Sequence, residues 1–144
     1  GKTGVLFYGG ALVDPRAFSP LARVLSGRYG LAVSVPVFDS DLAFSFGSCD
    51  TGRLPLAMEA FPDVERWVLA GHSFGGIAFQ TDLWTMMVNE DADMLASVGG
   101  IAFLGSYIRQ DLGCGATDFS STNIPATSVS GELDGVVNRT NWEG

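Results

Sequence analysis

The sequence is short of basic residues and of histidine. Lys and Arg together number 8 against 16 Asp and Glu, so the formal net charge is -8, and the basic side chains are scattered along the chain. Binding to a phosphate backbone depends on clustered cationic side chains, so we expect no nucleic acid partner. The only histidine is His72, which limits where the sequence can place a catalytic base.

Long apolar runs and cysteines are scarce as well. The longest uncharged runs, residues 67–81 and 94–108, are shorter than a membrane span needs and contain glycines and polar residues, so we expect no transmembrane segment. Two cysteines, Cys49 and Cys114, are too few to define a disulfide scaffold. They either pair in an oxidising compartment or remain thiols, and we favour free thiols.

The composition that remains is that of one globular domain. The 144 residues are 47% hydrophobic and 17% charged, which is enough apolar material for a sizeable core. No initiator Met or signal-like region precedes the first apolar run, and the sequence stops at Asn-Trp-Glu-Gly without closing a helix or strand. We therefore expect residues 1–144 to be a single domain truncated at both ends.

Short apolar runs alternate with segments of helical periodicity. The pattern predicts strands over residues 4–10, 31–38, 65–70, 98–104 and 125–130. It predicts helices over residues 15–26, 54–61 and 73–89, and loops over residues 39–51 and 105–124. Alternating strands and helices favour a three-layer α/β/α sandwich with a mostly parallel sheet, in which ligands bind at the carboxyl ends of the strands.

The clearest motif lies between the third predicted strand and the helix that follows it. Gly71-His72-Ser73-Phe74-Gly75 matches G-x-S-x-G, in which a serine at the apex of a sharp turn projects its hydroxyl above the sheet. The flanking glycines suit the close approach of strand and helix. The alternative interpretation is an ordinary glycine-rich turn whose serine caps the helix.

A second motif follows the first predicted strand. A serine nucleophile needs two backbone donors for the oxyanion, one from the residue after the serine and one from the loop after this strand. In Tyr8-Gly9-Gly10-Ala11 the second donor is Gly10 or Ala11, and Phe74 supplies the first. The alternative is that these glycines only turn the chain.

A candidate acid follows the last predicted strand. Asp134 lies where the acid is expected in the chain order serine, acid, histidine, and Glu132 is the second choice. The competing interpretation of Asp134 is a turn residue, because Asp-Gly is a frequent turn dipeptide.

Four segments together resemble a known family. They are VLFYGGALVDPRAF, LAGHSFGG, IAFLGSY and SVSGELDGVV, and they resemble the α/β-hydrolase fold family, in particular its small dienelactone-hydrolase-like branch of serine hydrolases. The resemblance covers nearly the whole chain, with the C-terminal part of the fold missing. It implies Ser73 as nucleophile, Asp134 as the acid that orients the base, and the Gly10 and Phe74 N–H groups as the oxyanion hole.

The resemblance also implies a small-molecule acyl substrate and no metal or organic cofactor, and it indicates no oligomeric state. The usual His-Gly before the oxyanion loop is Tyr8-Gly9 in this sequence. These features together predict a serine hydrolase that cleaves an ester or related acyl compound.

The base is the missing element of this hypothesis. Side chains alternate along a strand, so His72 should point away from the neighbouring Ser73 and pack beside the turn. The family order implies a base histidine roughly 30 to 60 residues beyond Asp134. The alternative function is a non-catalytic α/β-hydrolase-like binding domain, a pseudoenzyme that lacks the base.

Overall fold

The computed structural model describes residues 1–43, 49–109, 114 and 118–132, and this part of the chain forms a five-stranded parallel sheet in the order β2-β1-β3-β4-β5. The strands are β1 (Lys2–Tyr8), β2 (Ala32–Ser34), β3 (Val64–His72), β4 (Val98–Leu104) and β5 (Ala126–Val129). The α-helices are α1 (Ser19–Tyr29), α2 (Arg53–Ala60), α3 (Phe74–Val88) and α4 (Ala92–Ser97). Within the same described residues, 3-10 helices lie at Pro15–Phe18, Asp39–Asp41 and Ser120–Thr122.

The central strands β1, β3 and β4 carry buried apolar residues on both faces of the sheet, whereas β5 is exposed. Side chains alternate between the faces, so Leu6 of β1 packs in the larger core with α2, α3 and α4, while Val5 and Phe7 pack in the smaller core beside Phe18 and Leu21. Strands of a parallel sheet covered on both sides are expected to read as continuous apolar runs. The predicted three-layer α/β architecture is confirmed.

The first predicted helix differs from its expected bounds. It begins as the 3-10 helix at Pro15–Phe18, where the Asp14 side chain accepts a hydrogen bond from the Arg16 N–H, and then continues as α1. It runs through Gly27 and ends where Gly30 adopts a left-handed φ of 67°. Gly27 is tolerated inside the helix at a modest cost in stability. Gly30 ends the helix because it adopts the left-handed conformation.

Two other elements also correct the sequence interpretation. The predicted strand at residues 31–38 pairs with β1 only over Ala32–Ser34, and Pro36, which has no N–H to donate, lies beyond it. The helix α4 was not predicted; it is six residues long, and Asp91 caps it by accepting a hydrogen bond from the Met94 N–H. The strand predicted over residues 98–104 is confirmed with the same bounds.

Candidate active site

The sheet topology brings several of the predicted site segments to one edge. Because all five strands are parallel, their carboxyl ends lie at the same edge, and β3 is central between β1 and β4. Gly9-Gly10 follows β1, Ser73 follows β3, and Gly105-Ser106 follows β4. This edge is where ligands bind in open parallel sheets.

Ser73 lies at the turn between β3 and α3. Its φ of 51° and ψ of -120° are a conformation that residues with a Cβ rarely adopt, and the side chain is half-buried. The Ser73 N–H donates to the Leu104 carbonyl at 3.0 Å, and the Gly76 N–H donates to the Ser73 carbonyl at 3.0 Å. Strained backbone of this kind clusters at functional sites, so the turn is the strongest candidate in the described chain.

The glycines on either side of Ser73 are required by contact with other backbone atoms. A Cβ at Gly71 would lie 2.3 Å from the Gly76 nitrogen, and a Cβ at Gly75 would lie 2.1 Å from the Tyr8 carbonyl oxygen. Real Cβ atoms do not approach backbone this closely. The first turn of α3 therefore packs directly against the end of β1, where Gly9 and Gly10 follow.

The two predicted oxyanion donors belong to these packed segments. Phe74 is the first residue of α3, where backbone N–H groups lack partners within the helix and attract negative charge. Gly10 is buried, and its carbonyl accepts a hydrogen bond from the Val13 N–H at 3.2 Å. Ala11, the alternative second donor, is exposed.

His72 is the last residue of β3 and lies beside the β1 loop. Its side chain is exposed, its ring centroid lies 5.9 Å from that of Phe18, and its Nδ1 would be 2.8 Å from a Cβ at Gly10. The imidazole thus contacts the segment that carries the proposed second oxyanion donor, while remaining open to solvent.

The two candidate acids follow β5. Val129, the last residue of β5, pairs with Leu104 and accepts a hydrogen bond from the Gly105 N–H at 2.7 Å. Glu132 is exposed and lies three residues beyond this strand end. Asp134 lies outside the described residues, so its role stays a prediction.

A buried polar cluster that sequence reasoning missed lies behind the turn. Asp82, 1% exposed, is the only charged residue of α3, and its carboxylate accepts three hydrogen bonds. The Tyr8 hydroxyl donates to Oδ2 at 2.5 Å, the Thr51 N–H donates to Oδ1 at 2.6 Å, and the Thr51 hydroxyl donates to Oδ2 at 2.6 Å. The signal available in the sequence was a single aspartate in an otherwise uncharged helix.

Burial dominates the ionisation of this cluster. It raises the pKa of Asp82 to about 6, although hydrogen bonds from Thr51 and Tyr8 act in the opposite direction, and the nearby Asp50 adds to the increase. Burial also raises the pKa of Tyr8 well above its ordinary value, and Asp82 adds to that shift. At neutral pH the tyrosine is therefore a neutral donor to an ionised carboxylate.

Two more polar residues of α3 bind backbone groups of neighbouring loops. The buried Gln80 amide donates to the carbonyls of Gly76 and Tyr107 at 2.7 and 3.0 Å and accepts from the Arg109 N–H at 3.0 Å. The Thr85 hydroxyl donates to the Cys49 carbonyl at 2.9 Å. The helix that begins after Ser73 thus binds the backbone of Cys49 on one side and of Tyr107 and Arg109 on the other.

Cys49 and Cys114 form a disulfide, so the interpretation that favoured free thiols was wrong. The bond joins the loop before α2 to the segment between β4 and β5, across 65 positions of sequence. The spacing of two cysteines does not reveal their distance in space, which is why the sequence left pairing open.

Among the described residues, no group of three or more His, Cys, Asp or Glu side chains is arranged to hold a metal ion. Within the same ranges, no helix combines the length and the apolar character required to cross a membrane.

The family and the fold are identified by comparison. A sequence model described as the alpha/beta hydrolase family matches residues 4–143. No curated protein matches the chain by sequence. The dienelactone-hydrolase-like branch stays a prediction.

Two solved structures share the fold at low identity. A cutinase-like protein from Cryptococcus sp. superimposes with a TM-score of 0.59 at 15% identity, covering 99% of this chain and 82% of that one. An extracellular α/β-hydrolase from a Paenibacillus species, described as sharing structural and functional homology with tobacco salicylic acid binding protein 2, gives a TM-score of 0.50 at 18% identity. That match covers 77% of this chain and 43% of the Paenibacillus protein, so this chain spans less than half of its length. With nearly every residue inside the family match and the corresponding fold around Ser73, the chain belongs to the α/β hydrolase family.

Proposed function

We propose that this domain hydrolyses an ester or related acyl compound through an acyl-enzyme formed on Ser73. The observation that carries the proposal is the strained turn at Ser73 between β3 and α3. Ser73 has a positive φ, and the glycines on both sides of it lie in contact with other backbone atoms. A strand-turn-helix of this shape exposes the serine hydroxyl at the edge of the sheet, which is the arrangement a serine nucleophile needs.

The proposed reaction has two halves. Ser73 Oγ attacks the acyl carbonyl carbon while the base removes its proton, and the negative charge on the carbonyl oxygen is bound by the N–H groups of Phe74 and Gly10. The tetrahedral intermediate expels the alcohol, which receives the proton from the base, and leaves an acyl-serine. Water then attacks this ester by the same route and releases the acid and Ser73.

The base in this proposal is a histidine outside these 144 residues, oriented by Asp134. His72 is the only histidine in the sequence, and its ring lies beside Phe18 and Gly10. The coding sequence beyond residue 144 tests this directly. A histidine after one more helix and strand supports the triad, whereas its absence from the complete coding sequence contradicts catalysis by this mechanism.

Apolar side chains at the same edge support a substrate with an apolar group. Leu12, Val37 and Ile108 are each about half exposed or more, and they lie in loops that follow β1, β2 and β4. Exposed apolar side chains in loops at the ligand-binding edge of the sheet are available to contact an apolar ligand.

The competing function is a non-catalytic binding domain that retains the fold without the base. A fluorophosphonate probe, which phosphonylates activated serines, separates the two in the full-length protein. We expect stoichiometric labelling that is lost in Ser73→Ala.

Ser106→Ala is the matched control, because Ser106 lies at the same edge, is 1% exposed, and has no hydrogen-bond partner for its hydroxyl among the described residues. It should label like the unsubstituted protein. Absence of labelling in well-folded full-length protein would favour the binding domain.

A further inference from the structure

We infer that Tyr8, Asp82 and Thr51 are positioning residues that set the separation of the two proposed oxyanion donors, Gly10 and Phe74. This inference rests on the proposed function, because it assigns a role in the same reaction. None of the three residues is proposed to touch the substrate. They act by fixing the end of β1 against the helix that starts at the serine turn.

Tyr8 contacts α3 at two points. Its carbonyl oxygen lies against Gly75, in the first turn of the helix, and its hydroxyl donates to Asp82, two turns further along. A rigid side chain held at both ends against one helix prevents that helix from sliding or tilting relative to β1. Tyr8 is followed by Gly9 and Gly10, so the constraint on Tyr8 is passed directly to the second donor.

Asp82 occupies a position where an apolar residue would cost less. Its neighbours in α3 include the buried Phe79, Leu83 and Met86, and a buried carboxylate is costly unless every oxygen is hydrogen-bonded. Both of its oxygens are hydrogen-bonded here, by donors from two different segments. Unlike a leucine, the carboxylate forms directional hydrogen bonds, and these fix the positions of Tyr8 and Thr51 relative to α3.

Thr51 carries the same constraint to the loop before α2. Its N–H and hydroxyl both donate to Asp82, and the nearby Cys49 carbonyl accepts a hydrogen bond from Thr85, one turn further along α3. Residues 49–51 are thereby held on the helix at two points. We expect that loss of the Thr51 hydroxyl loosens Asp82 and, through it, Tyr8.

The geometry matters because oxyanion donors must lie within a few tenths of an ångström of hydrogen-bonding distance from the developing charge. A displacement of about 1 Å at such a site costs about 100-fold in rate. A residue that only contributes to stability would lower the melting temperature without changing the reactivity of the folded fraction.

The test uses Tyr8→Phe and Thr51→Val in the full-length protein. Thr51→Ser is the conservative variant, since it restores the hydroxyl. Thr81→Val is the matched control, because Thr81 is a buried threonine of the same helix whose hydroxyl donates to Ala78 within α3. Each variant is confirmed to be folded by its thermal melt before assay.

We expect the second-order rate of fluorophosphonate labelling and the kcat for p-nitrophenyl butyrate to fall about 10- to 100-fold in Tyr8→Phe and Thr51→Val. KM should change by less than about threefold, since the substitutions affect stabilisation of the transition state and not binding of the substrate in its ground state. Thr51→Ser and Thr81→Val should stay close to the unsubstituted protein. Unchanged labelling in folded Tyr8→Phe, or an equal loss in Thr81→Val, overturns the inference.

A readout that needs no catalysis separates this inference from the proposed function. If the unsubstituted protein does not label, the proposed function fails, and the backbone amide NMR signals of Gly10 and Phe74 decide the positioning role. Those signals should shift in Tyr8→Phe and Thr51→Val and remain in place in Thr81→Val. Signals that do not move in the first two variants overturn the positioning role as well.

Discussion

At the scale of single residues, the serine turn depends on glycines at neighbouring positions, because a Cβ atom there would clash with other backbone atoms. The backbone of Ser73 is strained, and such strain persists only where surrounding contacts over-determine it. Gly75 provides one of those contacts, because its missing side chain lets α3 touch the carbonyls of Tyr8 and Gly9.

Replacing Gly75 with alanine should destabilise the fold. The new Cβ would lie 2.1 Å from the Tyr8 carbonyl oxygen, so β1 and α3 must separate, and we expect the free energy of unfolding to fall by about 2–3 kcal/mol. Urea unfolding followed by circular dichroism measures this change.

Gly27→Ala is the control for this prediction and should have the opposite effect. Gly27 lies inside α1, and nothing is within 4 Å of its Cβ position. Alanine there should raise the free energy of unfolding by about 0.5–1 kcal/mol. Equal stability of Gly75→Ala and the unsubstituted protein would show that the close contact is not required.

At the scale of elements, α3 has more than one structural role. Its apolar side chains fill the larger core, and three polar residues, Gln80, Asp82 and Thr85, bind the loops that follow β4 and precede α2. The helix that presents Ser73 therefore also binds described residues of both loops. The strong apolar pattern of the sequence predicted this helix. It did not predict the polar contacts, because their partners lie far away in the sequence.

The buried carboxylate of α3 should make stability depend on pH. Because the pKa of Asp82 is raised to about 6, the folded state keeps a proton that the unfolded state loses near pH 4. Its contribution to the free energy of unfolding should therefore decrease as pH rises from about 4 to about 6, by up to about 3 kcal/mol. The groups facing it are Tyr8, which stays neutral in this range, and Asp50, whose carboxylate disfavours the charge.

Urea unfolding of the unsubstituted protein and Asp82→Asn at several pH values between 4 and 7 tests this dependence. The variant should gain stability relative to the unsubstituted protein as pH rises, because asparagine does not titrate. A difference between the two proteins that stays constant with pH, or that changes in the opposite direction, would contradict the assignment of the raised pKa to Asp82.

At the scale of the whole molecule, the disulfide links two distant parts of the chain. It encloses 65 positions of sequence, a span that includes β3, α3 and β4. A cross-link over a long segment removes conformational freedom from the unfolded chain. The serine turn lies inside the enclosed segment.

Removing the disulfide should lower the free energy of unfolding by about 2–5 kcal/mol. The urea midpoint of the unsubstituted protein should fall when dithiothreitol is added. The double variant Cys49→Ser with Cys114→Ser should have the low midpoint with or without the reductant. A midpoint of the unsubstituted protein that does not respond to dithiothreitol would argue against the bond.

Local patterns in the sequence predicted what depends on neighbouring residues. Short stretches of sequence were enough to predict three features: the strand at residues 98–104, the glycines around Ser73, and the alternation of strands and helices. In each case the period of apolar residues or the placement of glycines specifies the backbone. The predicted strand at residues 31–38 was too long, because only Ala32–Ser34 pairs with β1 and Pro36 beyond it has no N–H to donate.

The α/β sheet and the serine turn could be predicted without a structure, because both follow from the order of apolar runs and glycines along the chain. The pairing of Cys49 with Cys114 and the convergence of Tyr8 and Thr51 on Asp82 were visible only once the chain was folded. Tyr8 and Asp82 are 74 positions apart, and Thr51 and Asp82 are 31 apart. Contacts between such distant residues depend on how the helices pack on the sheet, which no local pattern specifies.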